Sequence, residues 1–536
     1  MRYNNYHKHD HYGNPWISDV VVKPEDYIKR AKELGHTTVF TTNHGVTGSI
    51  FDWITQTKDT DLKLIYGMEA YFVKSYAEDE EGKRDRSNKH LIIIARNNDG
   101  VMQLNDIMST AHGEGFYYRP RVDSDRLFSL NPTDFIVTSA CVAGIWDDPE
   151  LLLECKRHFG DNFFLELQAH DIDIQKTVNR QMLDFSKASG IPIIHANDSH
   201  YIYPEDKRYR EIYLRGHDMY YKDDNALEGS MILDYPDDDT IFERYDRQGI
   251  LTRSEAELAL NNTLIFDTCE KITLINDDIK LPEISKNPND DLKKIINDRW
   301  LKERETIPKE EWPKYLAAIR EEVKVVEDTH MANYFLIDYN VAKDAQEKFG
   351  GRLTNTGRGS APSFYITKML GLTDIDRVDA PITLFPSRFM SVERILGSRS
   401  LPDIDLNTAD RTPFINATKA LLGEENCEWM LSWKPLQASS AFRLYCKGSG
   451  MNIKEYDAVA KDIDAYREDP KWRELIRDSE KFIGVIDSVS ESPCSMLLYY
   501  KPVRKEIGIV RMSGSGKLCC MLDGYNCDKY KYLKND

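Results

Sequence analysis

The sequence predicts an α/β protein in two halves: a barrel of alternating strands and helices, then an α+β half with a helical insert. Three observations carry this. Over the first 280 or so residues, short apolar strands recur, each meeting a His, Cys, Asp or Glu, with helical segments between them. From Asp291 to Lys348 the pattern is helical, with Tyr315, Ile319, Val323 and Val326 on one stripe. Beyond it, the glycine-rich turn Thr356-Gly357-Arg358-Gly359-Ser360 precedes the paired acids of Pro402-Asp403-Ile404-Asp405.

Composition narrows the class. At 536 residues the chain exceeds one core, so two to four domains are expected (about 100–200 residues each). Hydrophobic content of 41% with 30% charge is ordinary for a globular protein, and no apolar run is long enough to span a membrane. Met1-Arg2-Tyr3-Asn4-Asn5-Tyr6 does not read as a signal peptide. The nine cysteines form no framework, which fits a reducing, cytoplasmic compartment. A formal charge of −18 argues against a protein that coats DNA. It leaves open a nucleic-acid enzyme with local basic groups.

Taken in order, the first half opens on His7-Lys8-His9, with Asp10, His11 and Asp19 behind it. A helix follows, started by Pro24, striped by Ile28, Ala31 and Leu34, and ended by Gly35. The strand Thr37–Phe40 leads to Asn43-His44-Gly45, and the apolar stretch Leu62–Val73 contains Glu69. Lys89-His90 leads the strand Leu91–Ala95, Phe135–Thr138 feeds Cys141, and Phe163–Leu167 feeds His170. Ile191–Ile194 feeds His195-Ala196-Asn197-Asp198-Ser199-His200. Alternating strands and helices imply a parallel sheet, whose strand C-terminal ends gather functional groups. Imidazole, thiolate and carboxylate are the ligands of zinc, manganese or iron. One such residue alone is more often a satisfied core group; the repetition makes a polynuclear metal site the better reading. Tyr235-Pro236-Asp237-Asp238-Asp239 reads as a solvated loop in a helical, acidic tail to this half.

His7-x-His9, His44-Gly45, Glu69 and Asp198-Ser199-His200 resemble the motifs of the polymerase-and-histidinol-phosphatase (PHP) family of metal-dependent phosphoesterases. The resemblance implies a distorted β/α barrel holding up to three metals, Mn²⁺, Zn²⁺ or Fe²⁺. It implies that His7, His9, Glu69 and Asp198 share one metal, and that Glu69, His90 and Cys141 or His170 take a second. Asp19, His44 and His200 would take a third. Asn43 stands where the family has Asp.

In the second half, a short strand is expected at Asp403-Ile404-Asp405, which puts both carboxylates on one face. Adjacent carboxylates repel unless a cation or proton lies between them. Two metals about 3.5–4 Å apart, so held, clamp the attacking and leaving oxygens in nucleotidyl transfer. The glycines let backbone approach a ligand closely, and their N–H groups with Arg358 and two hydroxyls suit a triphosphate. Ser387-Arg388 and Glu393-Arg394 lie between turn and acids.

This order of barrel, Tyr334-Phe335-Leu336-Ile337, Gly-Arg-Gly-Ser and Pro-Asp-Ile-Asp resembles the C-family bacterial replicative DNA polymerases, over the whole chain. The resemblance implies a palm of the nucleotidyltransferase type, with Asp403 and Asp405 on two Mg²⁺. It implies that Gly357, Arg358, Gly359, Ser360 and Arg388 bind the incoming dNTP. A third palm acid would be Asp536, with Lys534 as a phosphate contact. Expected domains are the barrel (1–280), palm (281–425 and 483–536) and a helical thumb (426–482) whose Arg443, Lys447 and Lys461 either meet DNA or are merely solvated. The chain reads as the front part of such a polymerase, of diverged or phage type, in the cytoplasm of a bacterium or infected host. Its partners would be primer–template DNA, a sliding clamp and the remainder of the polymerase. A second reading makes the barrel a 3′–5′ exonuclease or phosphoesterase; a third makes the chain a non-catalytic polymerase subunit.

Overall fold

A computed structural model describes residues 2–78, 82–219, 231–354, 356–398 and 401–535. The chain forms two compact units: residues 1–274, 433–490 and 505–521, and residues 275–432, 491–504 and 522–536.

The first unit is built on an eight-stranded curled sheet: β1 (Thr38–Thr41), β2 (Lys63–Val73), β3 (Lys89–Ala95), β4 (Phe116–Tyr117), β5 (Arg119–Asp123), β6 (Phe135–Thr138), β7 (Phe163–Gln168) and β8 (Ile193–Ala196). The spatial order is β4-β5-β2-β3-β6-β7-β8, with β1 also on β2. Helices lie before and between the strands in sequence, as Pro24–Glu33 does before β1 and Asn98–His112 and Asp173–Ser189 do between later strands. This is the distorted β/α barrel expected, with one departure. The sheet is not wholly parallel: β3 runs antiparallel to both β2 and β6. Strand direction has no local sequence signature, because it is set by the connections. The reversal places the start of β3, His90, opposite Tyr71 near the C-terminal end of β2. His90 therefore joins the ligands of strands that run the other way.

The N-terminal segment lies between β8 and β1. His9 N–H donates to Ser199 O at 2.8 Å, Ser199 N–H to His7 O at 3.0 Å, and Lys8 N–H to Thr42 Oγ1 at 3.0 Å. Tyr27, buried on the first helix, donates through its hydroxyl region to His9 O and Ser199 O, both at 2.8 Å. Tyr6, Phe40, Ile65, Ile92, Ile94, Ile136, Phe164 and Ile194 form a core with Phe266. Each such buried side chain contributes about 1.5–3 kcal/mol, so the strands that carry the ligands are strongly anchored.

Tyr235–Asp239 is not a solvated loop. Tyr235 is buried with its hydroxyl 2.7 Å from His36 Nδ1, and Asp237 caps the helix Asp238–Gln248 by accepting from Thr240 N–H. The acidic run supplied a helix start. The region expected to be helical from Cys427 opens instead as β9 (Cys427–Pro435), with helices from Ala438 onward. Arg443 and Lys461 pair with Asp457, and Lys447 with Asp218. β10 (Ile486–Leu498) follows, and β11 (Ile509–Arg511) pairs antiparallel with β12 (Leu518–Cys520).

In the second unit three helices, Pro288–Glu303, Trp312–Asp328 and Ala332–Lys348, precede the glycine-rich turn. The last strand, β13 (Leu533–Asn535), pairs antiparallel with β10, Lys534 opposite Leu497. Phe335, Phe364, Phe389, Ile404, Leu498 and Leu533 share one core. Among the described residues no helix is long and apolar enough to cross a membrane.

Candidate metal centres

The barrel gathers the ligand-type residues into one buried cluster. His7 Nε2 lies 3.2 Å from both Glu69 Oε1 and Asp198 Oδ1, and His9 Nε2 lies 3.0 Å from Asp198 Oδ1 and 3.5 Å from Glu69 Oε2. His90 Nδ1 meets Glu69 Oε1 at 2.8 Å, with Cys141 Sγ 3.5 Å from His90 Nδ1 and 3.9 Å from Glu69 Oε1. His44 Nδ1 meets Glu69 Oε2 at 2.5 Å. Asp19 Oδ2 faces His200 Nε2 at 2.9 Å and His44 Nε2 at 3.6 Å. Three sets, His7/His9/Asp198, His44/Glu69/His90 and His9/His44/His200, have donor atoms close enough for one ion. His170 joins none of these; it is buried, with its Nε2 unpartnered. Of the two residues expected beside Glu69 and His90, Cys141 is the one that lies there.

Local backbone aims these groups. Asp198 (φ 54°) and Ala140 (φ 59°), just before Cys141, take the left-handed conformation that non-glycine residues seldom adopt. Gly45 (φ 64°) follows His44, and a Cβ there would stand 2.7 Å from Pro120 Cγ. Asn43 is not aimed at the cluster. It accepts from Asp10 N–H and donates to Asp10 Oδ1, both at 2.8 Å. Lys8 points away too, its ammonium 3.9 Å from the centre of the Tyr27 ring and 4.1 Å from that of Trp53, and burial pulls it down to about 7.

The electrostatics suit cations. Burial disfavours charge on Glu69, yet His90, His44 and His7 hold its carboxyl well below the ordinary range. Burial likewise opposes the Asp198 charge, while His7, His200 and His9 pull it down. His9 is lowered to about 3, by burial and then by His44 and His200. Burial opposes a charge on His7, but Asp198, Glu166 and Glu69 raise it well above its usual value. Buried His7 Nε2 and His9 Nδ1 have no hydrogen-bond partner. Unpaired buried donors and acceptors are costly, and a metal would satisfy them. The mixed imidazole, carboxylate and thiol set fits Zn²⁺, Mn²⁺ or Fe²⁺.

Two residues here escaped the sequence reading. Glu166, mid-β7, has Oε1 2.8 Å from His7 Nδ1. Its signal was a lone acid in the apolar run Phe-Phe-Leu-Glu-Leu. Arg210, on the helix Lys207–Gly216, pairs with Asp19 Oδ1 and donates to Asp19 O at 3.1 Å. A single arginine on an amphipathic helix carries no such signal.

The second unit holds a different site. Residues 401–407 form no strand ladder, contrary to expectation; among the described residues the pairing beside them is an isolated bridge of Leu353 with Thr408. The alternation survives: Ile404 is buried in the core, Asp403 exposed and Asp405 half-buried. Thr354 N–H donates to Asn407 O at 2.9 Å, and Asn407 Nδ2 to Thr356 Oγ1 at 3.0 Å. The glycine-rich turn is thereby laid against the acids. Gly357 and Gly359 have φ of 67° and 68°, and a Cβ on Gly359 would stand 2.7 Å from Asp405 Oδ2. Arg358 Nε lies 3.7 Å from Asp405 Oδ2, and Lys534 Nζ lies 3.5 Å from Asp403 Oδ2. Ser360 is half-buried at the end of the turn; Arg388 is exposed at the end of the short turn Pro386–Arg388. Asp536 lies outside the described residues. A third acid does lie near: Asp338, buried on the helix Ala332–Lys348. Burial pushes its carboxyl up to about 7, against a hydrogen bond with Asn535 and with the charge of Asp403. Carboxylate oxygens of this kind are the hard ligands Mg²⁺ takes.

Fold and sites together define a curled α/β barrel that gathers metal-ligand-type side chains, followed by a unit that carries an acid pair. Comparisons with known proteins agree. Residues 5–170 match the PHP domain, and residues 290–536 match the bacterial DNA polymerase III alpha NTPase domain. The DNA polymerase III subunit alpha of Aquifex aeolicus is 28% identical over 476 residues, covering 83% of this chain and 40% of the relative. That of Borreliella burgdorferi is 27% identical, covering 94% and 43%, and that of Treponema pallidum 25%, covering 97% and 46%. The chain is similar to these DNA polymerase III alpha subunits over most of its own length, and it spans less than half the length of these relatives.

Proposed function

We propose that the chain acts in template-directed DNA synthesis, adding dNTPs to a primer 3′-hydroxyl at Asp403 and Asp405. The observation that carries this is the close packing of the Gly357–Ser360 turn against Asp405, whose Oδ2 would stand 2.7 Å from a Cβ on Gly359. Asp403 and Asp405 would hold two Mg²⁺, which supply charge neutralisation and acidify the attacking hydroxyl. Arg358 and the N–H groups of the turn bind triphosphate oxygens, and Arg388 serves the same anion. Lys534 holds Asp403 in place and offers its ammonium to a phosphate. Asp536 completes the acids. The names of the relatives, all DNA polymerase III subunit alpha, support this reading. In this account the protein is cytoplasmic and bacterial or phage-encoded, and it works with primer–template DNA and a sliding clamp. Residues 281–425 and 483–536 serve as palm and 426–482 as thumb. A gel with a 5′-labelled primer, template, dNTPs and Mg²⁺ tests the proposal. Lengthening by the wild type and none by Asp403→Asn is expected; equal lengthening by both refutes it.

A second reading is favoured by the completeness of the buried cluster: the barrel hydrolyses phosphodiesters, as a 3′–5′ exonuclease would. Metal at His7, His9, Glu69, His90, Cys141, Asp198, His200, His44 and Asp19 would supply an activated water. Shortening of the same primer by the wild type, lost in His9→Ala, is the expected result. Shortening that survives His9→Ala contradicts it.

A further inference from the structure

We propose that Glu166 is a positioning residue of the barrel's metal centre, fixing His7 so that its Nε2 is presented to a cation. This rests on the reading that the cluster binds metal. Glu166 is buried in the middle of β7, and its own N–H donates to Ser139 Oγ at 2.9 Å. Its carboxylate is fully engaged. Oε1 lies 2.8 Å from His7 Nδ1 and accepts from Gln168 Nε2 at 2.8 Å. Oε2 accepts from Tyr6 Oη at 2.8 Å and from Thr138 Oγ1 at 2.9 Å. A carboxylate offers about four lone-pair sites, so none remains for a metal, and Glu166 lies outside the three ligand sets.

The consequence falls on His7. An ionised carboxylate only accepts, so the nitrogen facing it, Nδ1, carries the proton. Nε2 then faces Glu69 Oε1 and Asp198 Oδ1, each 3.2 Å away. His7 also falls with His9 and Asp198 in a set whose donor atoms lie close enough for one ion. Tyr6, beside His7 on the N-terminal segment, and Thr138, at the end of β6, thus hold the Glu166 carboxylate in place. Partners of this kind orient ligands and set metal affinity.

The test uses the full chain, Mn²⁺ titration by calorimetry, and melting of the metal-free protein. Glu166→Gln keeps the side chain's shape but removes the charge that fixes the His7 tautomer. The expected result is a metal-free melting temperature close to wild type with Mn²⁺ affinity down about 10- to 100-fold, partly restored in Glu166→Asp. Wild-type affinity in Glu166→Gln overturns the assignment while the metal reading stands. Failure of the wild type to take up Mn²⁺ overturns both. If Glu166→Gln does not fold, Tyr6→Phe, which keeps the carboxylate but removes one donor to it, decides. Severalfold weaker Mn²⁺ binding supports the role, and unchanged binding refutes it.

Discussion

The two metal-type sites of this chain are built on opposite plans. In the barrel, three carboxylates and a set of imidazoles are buried, and their donor atoms already stand within reach of common ions. In the second unit, Asp403 is exposed and Asp405 half-buried, with Lys534 beside the first and Arg358 beside the second. A buried cluster with unpartnered atoms carries a standing electrostatic cost that bound metal removes. An exposed acid pair carries little such cost, since water screens it. The barrel is therefore suited to resident metal, and the acid pair to metal that arrives with its substrate.

The sharpest way to break this comparison is Asp403→Asn. If the acid pair performs nucleotidyl transfer, primer extension falls on the order of 10³-fold, the equivalent of about 4 kcal/mol in the barrier. Melting is unchanged, because the side chain is exposed. Metal removal should act in the reverse sense. Chelation is expected to lower the melting temperature of the first unit, by about 2.7 kcal/mol of lost stabilisation if metal stood at a hundredfold excess over its Kd. Calorimetry with and without chelator reads this; an unchanged transition would argue against resident metal.

Gly359→Ala probes the close packing of turn and acid. It forces a left-handed backbone on alanine at about 1–2 kcal/mol and sets a methyl against the Asp405 carboxylate. Extension should fall well beyond the stability loss, as measured by rate and melting side by side. Asp338 supplies the pH test, in metal-free buffer. Its carboxyl titrates at about 7 in the folded chain, above the ordinary 3.9 of an unfolded Asp. The folded state thus holds the extra proton, and stability falls as pH rises from about 4 to 7. Asp338→Asn should flatten that slope, gaining about 1–3 kcal/mol over wild type at pH 8 and little at pH 4. Parallel melting curves across that range would refute it.

How much of this was legible in the sequence differs between the halves in the same way. The barrel's candidate ligands His44, Asp198 and His200 were readable because strands bring their end residues to one rim, while Glu69, within β2, was readable through the family resemblance. Glu166 was not readable, because it sits within a strand and acts through His7 rather than at the rim. The direction of β3 was equally hidden, although His90 itself was found. In the second unit, the acid alternation was correct but the strand was not, because ladder pairing depends on a partner, and among the described residues Leu353 supplies one isolated bridge, to Thr408. Asp338 lay unseen in a helix whose apolar neighbours explain its sequence fully; only tertiary packing sets it near Asp403.

The claim that the barrel holds resident metal and the acid pair does not is tested most directly by elemental analysis after desalting. Wild-type protein, Asp403→Asn and His9→Ala would be passed through the same column in metal-free buffer. The account predicts retained Mn, Zn or Fe in the wild type and in Asp403→Asn, and a clear loss in His9→Ala. Metal absent from the wild type, or lost in Asp403→Asn and kept in His9→Ala, would contradict it.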